Sequence, residues 1–161
     1  PGEWMPKIEN IVPWVRGYHL CRIEDLIYWL NEEIYEAEGK GDFIRHDNNK
    51  DVFPEARLIK RIEAWNDKTA RLFAADCAEH VLHFFEDKYP EDDRPRKAIQ
   101  AARDYANSLI PAAAMDAAWA AAWAAARDAA MDATWAAAWA AARDAEKKWQ
   151  TELLIKYLEV K

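Results

Sequence analysis

Apolar residues along most of this chain recur three and four apart, the spacing that gathers them on one side of a helix. In "CRIEDLIYWLNEEIYEAEGKG", Ile23, Leu26, Ile27, Leu30 and Ile34 form such a stripe, and Gly39 supplies the stop. "PEARLIKRIEAW" predicts a second helix with Pro54 in its first turn, where a missing N–H is harmless. "NDKTARLFAADCAEHVLHFFEDKY" predicts a longer one, with Leu72, Phe73, Cys77, Val81, Phe84 and Phe85 inward. "PEDD" breaks the pattern. "RPRKAIQAARDYANSLI" resumes it with Pro95 near its start, Ile99, Ala102, Ala106 and Leu109 inward, and Pro111 closing it. Between the first two helices, Gly41–Pro54 is polar and reads as loop with at most a short extended piece. No succession of alternating strands is visible, so the expected class is all-α.

From Met115 to Ala145 nearly the same sixteen residues occur twice, and nothing from Ala112 onward is Gly or Pro. Alanine has the highest helix propensity, so helix is expected throughout. Large or charged residues recur every four positions: Met115, Trp119, Trp123, Arg127, Met131, Trp135, Trp139, Arg143 and Lys147. Four residues turn a helix by about 400°, so the stripe drifts by roughly 160° over the repeat. A coiled-coil seam must stay on one face, which excludes that architecture. An unbroken rod of this segment would run roughly 75 Å, too long for a compact domain of this size. A break is therefore expected between Arg127 and Thr134, with Asp128 or Asp132 as N-cap of the second helix. The result would be an antiparallel hairpin, its core filled by Trp119, Trp123, Trp135 and Trp139. A membrane span is disfavoured because Asp116, Arg127, Asp128 and Asp132 interrupt the apolar run.

The 161 residues suit a single compact domain, with an acidic N-terminal helical segment and loop over 1–53 and a helical core over 54–161. The four residues before Met5 are set aside as a remnant ahead of a start at Met5. Two cysteines without paired spacing, Cys21 and Cys77, fit a reducing cytoplasm rather than a disulfide framework. A net charge of −7 opposes direct nucleic-acid binding and favours a basic protein partner.

Candidate chemistry is sparse. Cys77, His80 and His83 with Glu79 are the strongest metal-ligating set, but on a helix Cys77 and His83 diverge by about 120° and cannot converge on one ion. Asp47, Asn49 and Asp51 have calcium-loop spacing, yet Val52 and Leu58 stand where that loop needs Gly and Glu. Ser108, the only serine, lacks a glycine elbow, and the four glycines form no phosphate loop. "RPRK" (94–97) follows Glu91, Asp92 and Asp93 and reads as a self-compensated turn. No catalytic residue, metal or cofactor is expected.

One stretch looks like an interface. Between Ile23 and Gly39 stand six acids and no base. As a helix, Asp25, Trp29, Glu32 and Glu36 would share one face away from the apolar stripe, with Tyr28 on its other flank. Aromatic rings among charges on an outward face are what binding hot spots look like, so Asp25, Tyr28, Trp29, Glu32 and Glu36 are the expected partner-binding residues. The competing reading packs Trp29 under a neighbouring helix and leaves the acids as a solvated rim.

"AADCAEHVL", then "DDRPRKAI", then "AAAWAAAWAAAR", in that order, resemble the putative immunity proteins of bacterial polymorphic-toxin systems. The resemblance spans about Asn66 to Trp149. It implies a helical, non-catalytic protein that binds and neutralises a cognate toxin; the N-terminal sixty-odd residues have no counterpart in it. The expected function is thus a stoichiometric inhibitor, a monomer or homodimer, that sets an acidic face against a basic toxin or nuclease. The alternatives are a phage or mobile-element inhibitor of a defence nuclease (anti-CRISPR-like, mimicking nucleic acid), a metal-dependent hydrolase using His80, His83 and Glu79, and a scaffold self-associating through its Trp faces.

Overall fold

The computed structural model describes residues 2–46, 49–130 and 135–158, with backbone alone for 122–130 and 135–144. The chain divides into two compact units, Pro1–Asn66 with Thr151–Lys161, and Asp67–Gln150.

The first unit overturns the all-α expectation. Its described elements are β1 (Tyr18–Leu20), a single 3₁₀ helix (Ile23–Tyr28), β2 (Tyr35–Lys40), β3 (Ile44–His46), β4 (Lys50–Phe53) and β5 (Glu55–Arg61). β4 is the centre of an antiparallel sheet ordered β1–β4–β3, and β2 pairs with β5 in a second antiparallel sheet. The expected acidic helix stops at Tyr28, and "YEAEGK" is a strand whose side chains alternate, with Tyr35, Ala37 and Gly39 half-buried and Glu36, Glu38 and Lys40 exposed. That alternation has the period of two that a strand imposes, and it overrides the helical spacing inherited from Ile23–Leu30. The segment expected as a helix after Pro54 is β5, whose sequence supplies the opposite charges to β2: Glu36 faces Lys60, Glu38 faces Arg57 and Lys40 faces Glu55.

Gly39 does not stop a helix. It lies in β2 where a Cβ would collide with the Phe53 ring. The segment expected as loop carries β3 and β4, and Val52 of β4 is fully buried. Ile34, Ala56, Trp65, Leu154 and Leu158 are also buried in this unit. The Trp65 indole N–H donates to the Asn31 carbonyl at 2.8 Å.

The second unit is helical, as expected: α1 (Asp67–Glu86), α2 (Arg94–Ala106), α3 (Ala112–Ala130) and most of α4 (Trp135–Tyr157). Pro95 sits in the first turn of α2 and Pro111 immediately precedes α3. Ala75, Leu82 and Ile99 form a buried cluster with Ala102 packed against it. Phe84, expected inward, is 44% exposed, and Leu109, which lies beyond the end of α2, is 72% exposed.

Helix α3 runs through Asp128, so Asp128 is not the N-cap of a following helix. Asp132, the turn placed between the repeats and the hairpin built on it lie outside the described residues, as do the side chains of Trp123, Trp135 and Trp139. Trp119 is 53% exposed, which corrects its assignment to the core. A stripe that drifts around a helix need not keep its first ring on the packed side. Among the described residues, no helix is long and apolar enough to cross a membrane.

Candidate protein-binding site

The turn preceding β1 begins from a short antiparallel bridge. Val12 and Arg16 exchange N–H···O bonds of 2.7 and 2.8 Å, leaving Pro13, Trp14 and Val15 to form the tip. Trp14 has φ +65°, a left-handed conformation that costs a non-glycine residue roughly 1 kcal/mol or more. Its surroundings hold it there. The Trp14 backbone N–H donates to His19 Nε2 at 3.0 Å, and its indole N–H donates to His46 Nε2 at 2.7 Å.

The Trp14 ring lies 5.8 Å from that of Trp29 and edge-on to His46 at 5.9 Å. The ammonium of Lys50, only 3% exposed, sits against the Trp14 face and 4.9 Å from the Trp29 ring centre. A buried ammonium needs such partners, because unpaired charge in the interior is costly. Beside it on β4, Asp51 is gripped by Arg45 through two bonds of 2.7 and 3.2 Å and reached by Arg22 at 3.5 Å. Anchored from beneath, the tip still projects: Trp14 is 61% exposed and Val15 79%.

The five residues expected to bind a partner are not gathered on one helical face. Asp25 is half-buried on the 3₁₀ helix, Tyr28 is exposed at its end, and Trp29 is half-buried just beyond it. Glu32 is exposed in the segment leading to β2, and Glu36 is exposed on that strand. The excess of acid in this stretch is offset from β5, where Arg61 pairs with Glu33 (3.3 Å), Lys60 with Glu36 (3.4 Å) and Arg57 with Glu38 (2.6 Å). What the structure brings together is Trp29 with Trp14, a residue that helical periodicity could not single out. The available signal was the turn itself, "VPWVRG", with an aromatic between Pro13 and Gly17 and no helical neighbours to cover it.

The histidines once considered for metal have other partners. His80 stacks on Trp149 at 3.7 Å and its Nδ1 lies 2.6 Å from Glu146, while His83 Nδ1 meets the His80 carbonyl at 3.0 Å. Glu79 is bonded by Arg103, which also binds Asp76 at 2.7 Å, and that guanidinium holds the Glu79 carboxyl below its ordinary range. Among the described residues, no three His, Cys, Asp or Glu side chains are arranged to hold a metal.

Residues 60–146, just over half of the chain, match the model of the Imm-5 like putative immunity protein family. No curated protein and no solved structure matches the chain. The matched segment contains all of the helical unit but its last four residues, together with the end of β5; the turn at Trp14 and strands β1 to β4 precede it.

Proposed function

Because the chain belongs to the Imm-5 like putative immunity protein family, we propose that it neutralises a protein toxin by binding it one to one, without catalysis. The observation that carries the contact site is the projecting Trp14–Val15 tip, apolar, exposed and anchored from below by His19, His46 and Lys50. A ring held in place before binding loses little entropy on association, which is why rigid aromatics dominate hot spots. Tyr28, 49% exposed, and Trp29 extend the aromatic surface. Asp25 and Glu32 supply carboxylates nearby in sequence, whereas the charge of Glu36 is already matched by Lys60. The surface is therefore an aromatic contact with an acidic fringe rather than an acidic face.

The test is recovery of the toxin from the native host on tagged protein, followed by binding kinetics with Trp14→Ala, Val15→Asp and Tyr28→Ala. Trp14→Ala is expected to weaken binding about 30-fold or more, mainly through faster dissociation, and also to lower the melting temperature because it uncovers Lys50. Val15→Asp, at a 79% exposed position, should weaken binding with the melting temperature little changed. Wild-type affinity in both Trp14→Ala and Val15→Asp would remove the tip from the contact.

A further inference from the structure

A second concave feature lies wholly within the helical unit. The first turns of α1, the end of α2 and the segment leading to α3 line a shallow, open cleft of about 700 Å³. Arg71, half-buried, lies over the Tyr105 ring at 4.8 Å, donates from Nε to Asp67 at 3.1 Å and places Nη1 4.0 Å from the Met115 sulfur. These contacts fix the plane of the guanidinium, and Nη2 takes part in neither hydrogen bond. Lys68, also on the cleft wall, is exposed and pairs with no carboxylate among the described residues. Two cations thus face one carboxylate, Asp67, in a chain whose overall charge is −7.

The remaining wall is of a different kind. Ser108 has φ +59°, and its N–H closes on the Tyr105 carbonyl at 2.9 Å, turning the chain sharply out of α2. Leu109 is left 72% exposed beside the cleft, with Ile110 and Pro111 continuing the apolar edge. A planar, oriented guanidinium suits a carboxylate, and an exposed aliphatic edge suits a side chain that gains by leaving water. A simple inorganic anion would leave Leu109 uncovered. Nucleic acid would need more than two cations and would meet Asp67.

We propose that this cleft binds a peptide segment of a partner protein in which a carboxylate side chain neighbours an aliphatic one, the carboxylate on Arg71 and Lys68 and the aliphatic group on Leu109. The proposal is independent of the Trp14 contact and stands or falls separately from it. The experiment is a titration of the full chain, followed by amide NMR, with a capped Glu-Leu-Glu-Leu peptide. Three comparison probes are Gln-Leu-Gln-Leu, Glu-Gly-Glu-Gly and inorganic phosphate. Saturable shifts at Tyr105, Ser108 and Leu109 are expected with the first peptide, and affinity about tenfold lower with either altered peptide. Arg71→Gln should weaken binding by a similar factor while resonances of the β1–β4–β3 sheet stay in place. Lys68→Gln, at an exposed position, gives the same test if Arg71→Gln fails to fold. Equal binding of the glutamine peptide, shifts reproduced by phosphate alone, or no shift at these residues would each overturn the proposal.

Discussion

Cys77 shows how one side chain's surroundings decide its chemistry. It is half-buried on α1, and burial pushes its thiol up to about 11, with the charges of Glu146 and Asp76 acting in the same direction. The thiolate is the reactive form, so folded protein at mildly alkaline pH should alkylate with iodoacetamide about a hundredfold more slowly at Cys77 than urea-unfolded chain. Mass-mapped labelling checks this, and equal rates in the two states would mean the site is open to water. The sign for stability follows. The fold favours the protonated thiol, so this contribution is present below the ordinary thiol range and is lost as pH rises toward about 11. At the same scale, the sequence identified Trp29 and Tyr28 as unusual but not Trp14. Trp14 owes its role to φ +65° and to two imidazole acceptors, one of them 32 residues away, and neither is written in local spacing.

The β2–β5 pair tests the reading of an element. Its cross-strand charges are Glu36–Lys60, Glu38–Arg57 and Lys40–Glu55, all on exposed or half-exposed side chains. Exposed pairs are individually weak, so Lys60→Glu should cost roughly 1 kcal/mol or less, and Glu36→Lys a similar amount. The double exchange should recover most of the loss, and added salt should shrink all three differences. Urea melts of the four proteins decide it. Independent, additive losses would mean that these side chains do not meet. The strands were partly legible: "YEAEGK" alternates strictly, and "EARLIKR" carries complementary charge. They read as helix because Ile23–Ile34 and Leu58–Ile62 also fit a helical period, and short segments satisfy both templates. The longer α1 and α2 were unambiguous, since only a helix sustains an apolar stripe over 20 and 13 residues, and α2 has proline in its first turn. The single helical face expected for Asp25, Trp29, Glu32 and Glu36 fails for the same reason as the helix reading of the strands: it exists only if the helix continues past Tyr28.

For the molecule as a whole, charge sets the response to acid. The chain carries 29 Asp and Glu against 22 Lys and Arg, with four His, so protonating the carboxylates turns an acidic protein strongly basic. Among the described residues of the helical unit, three carboxylates resist this change. Arg103 lowers Glu79, Arg96 lowers Glu86 through bonds of 2.7 and 2.6 Å, and Arg94 lowers Asp92 through bonds of 2.8 and 2.6 Å. A carboxyl whose folded value is depressed contributes stability that is fully present above the unfolded carboxylate range. That contribution is lost as pH falls through the lower folded value. Arg96 and Glu86 link α2 to the last turn of α1, so losing this pair weakens the packing around Leu82 and Ile99. Circular dichroism followed from pH 7 downward should therefore show helix loss only below the ordinary glutamate range. Glu86→Gln should leave the neutral-pH helix content intact, lower stability there modestly, and make the acid transition less steep, because one linked proton is gone. Trp14→Ala should leave this profile unchanged, since its ring and acceptors lie in the other unit. An acid transition identical in Glu86→Gln and wild type would show that the pair is solvated rather than holding the two helices together.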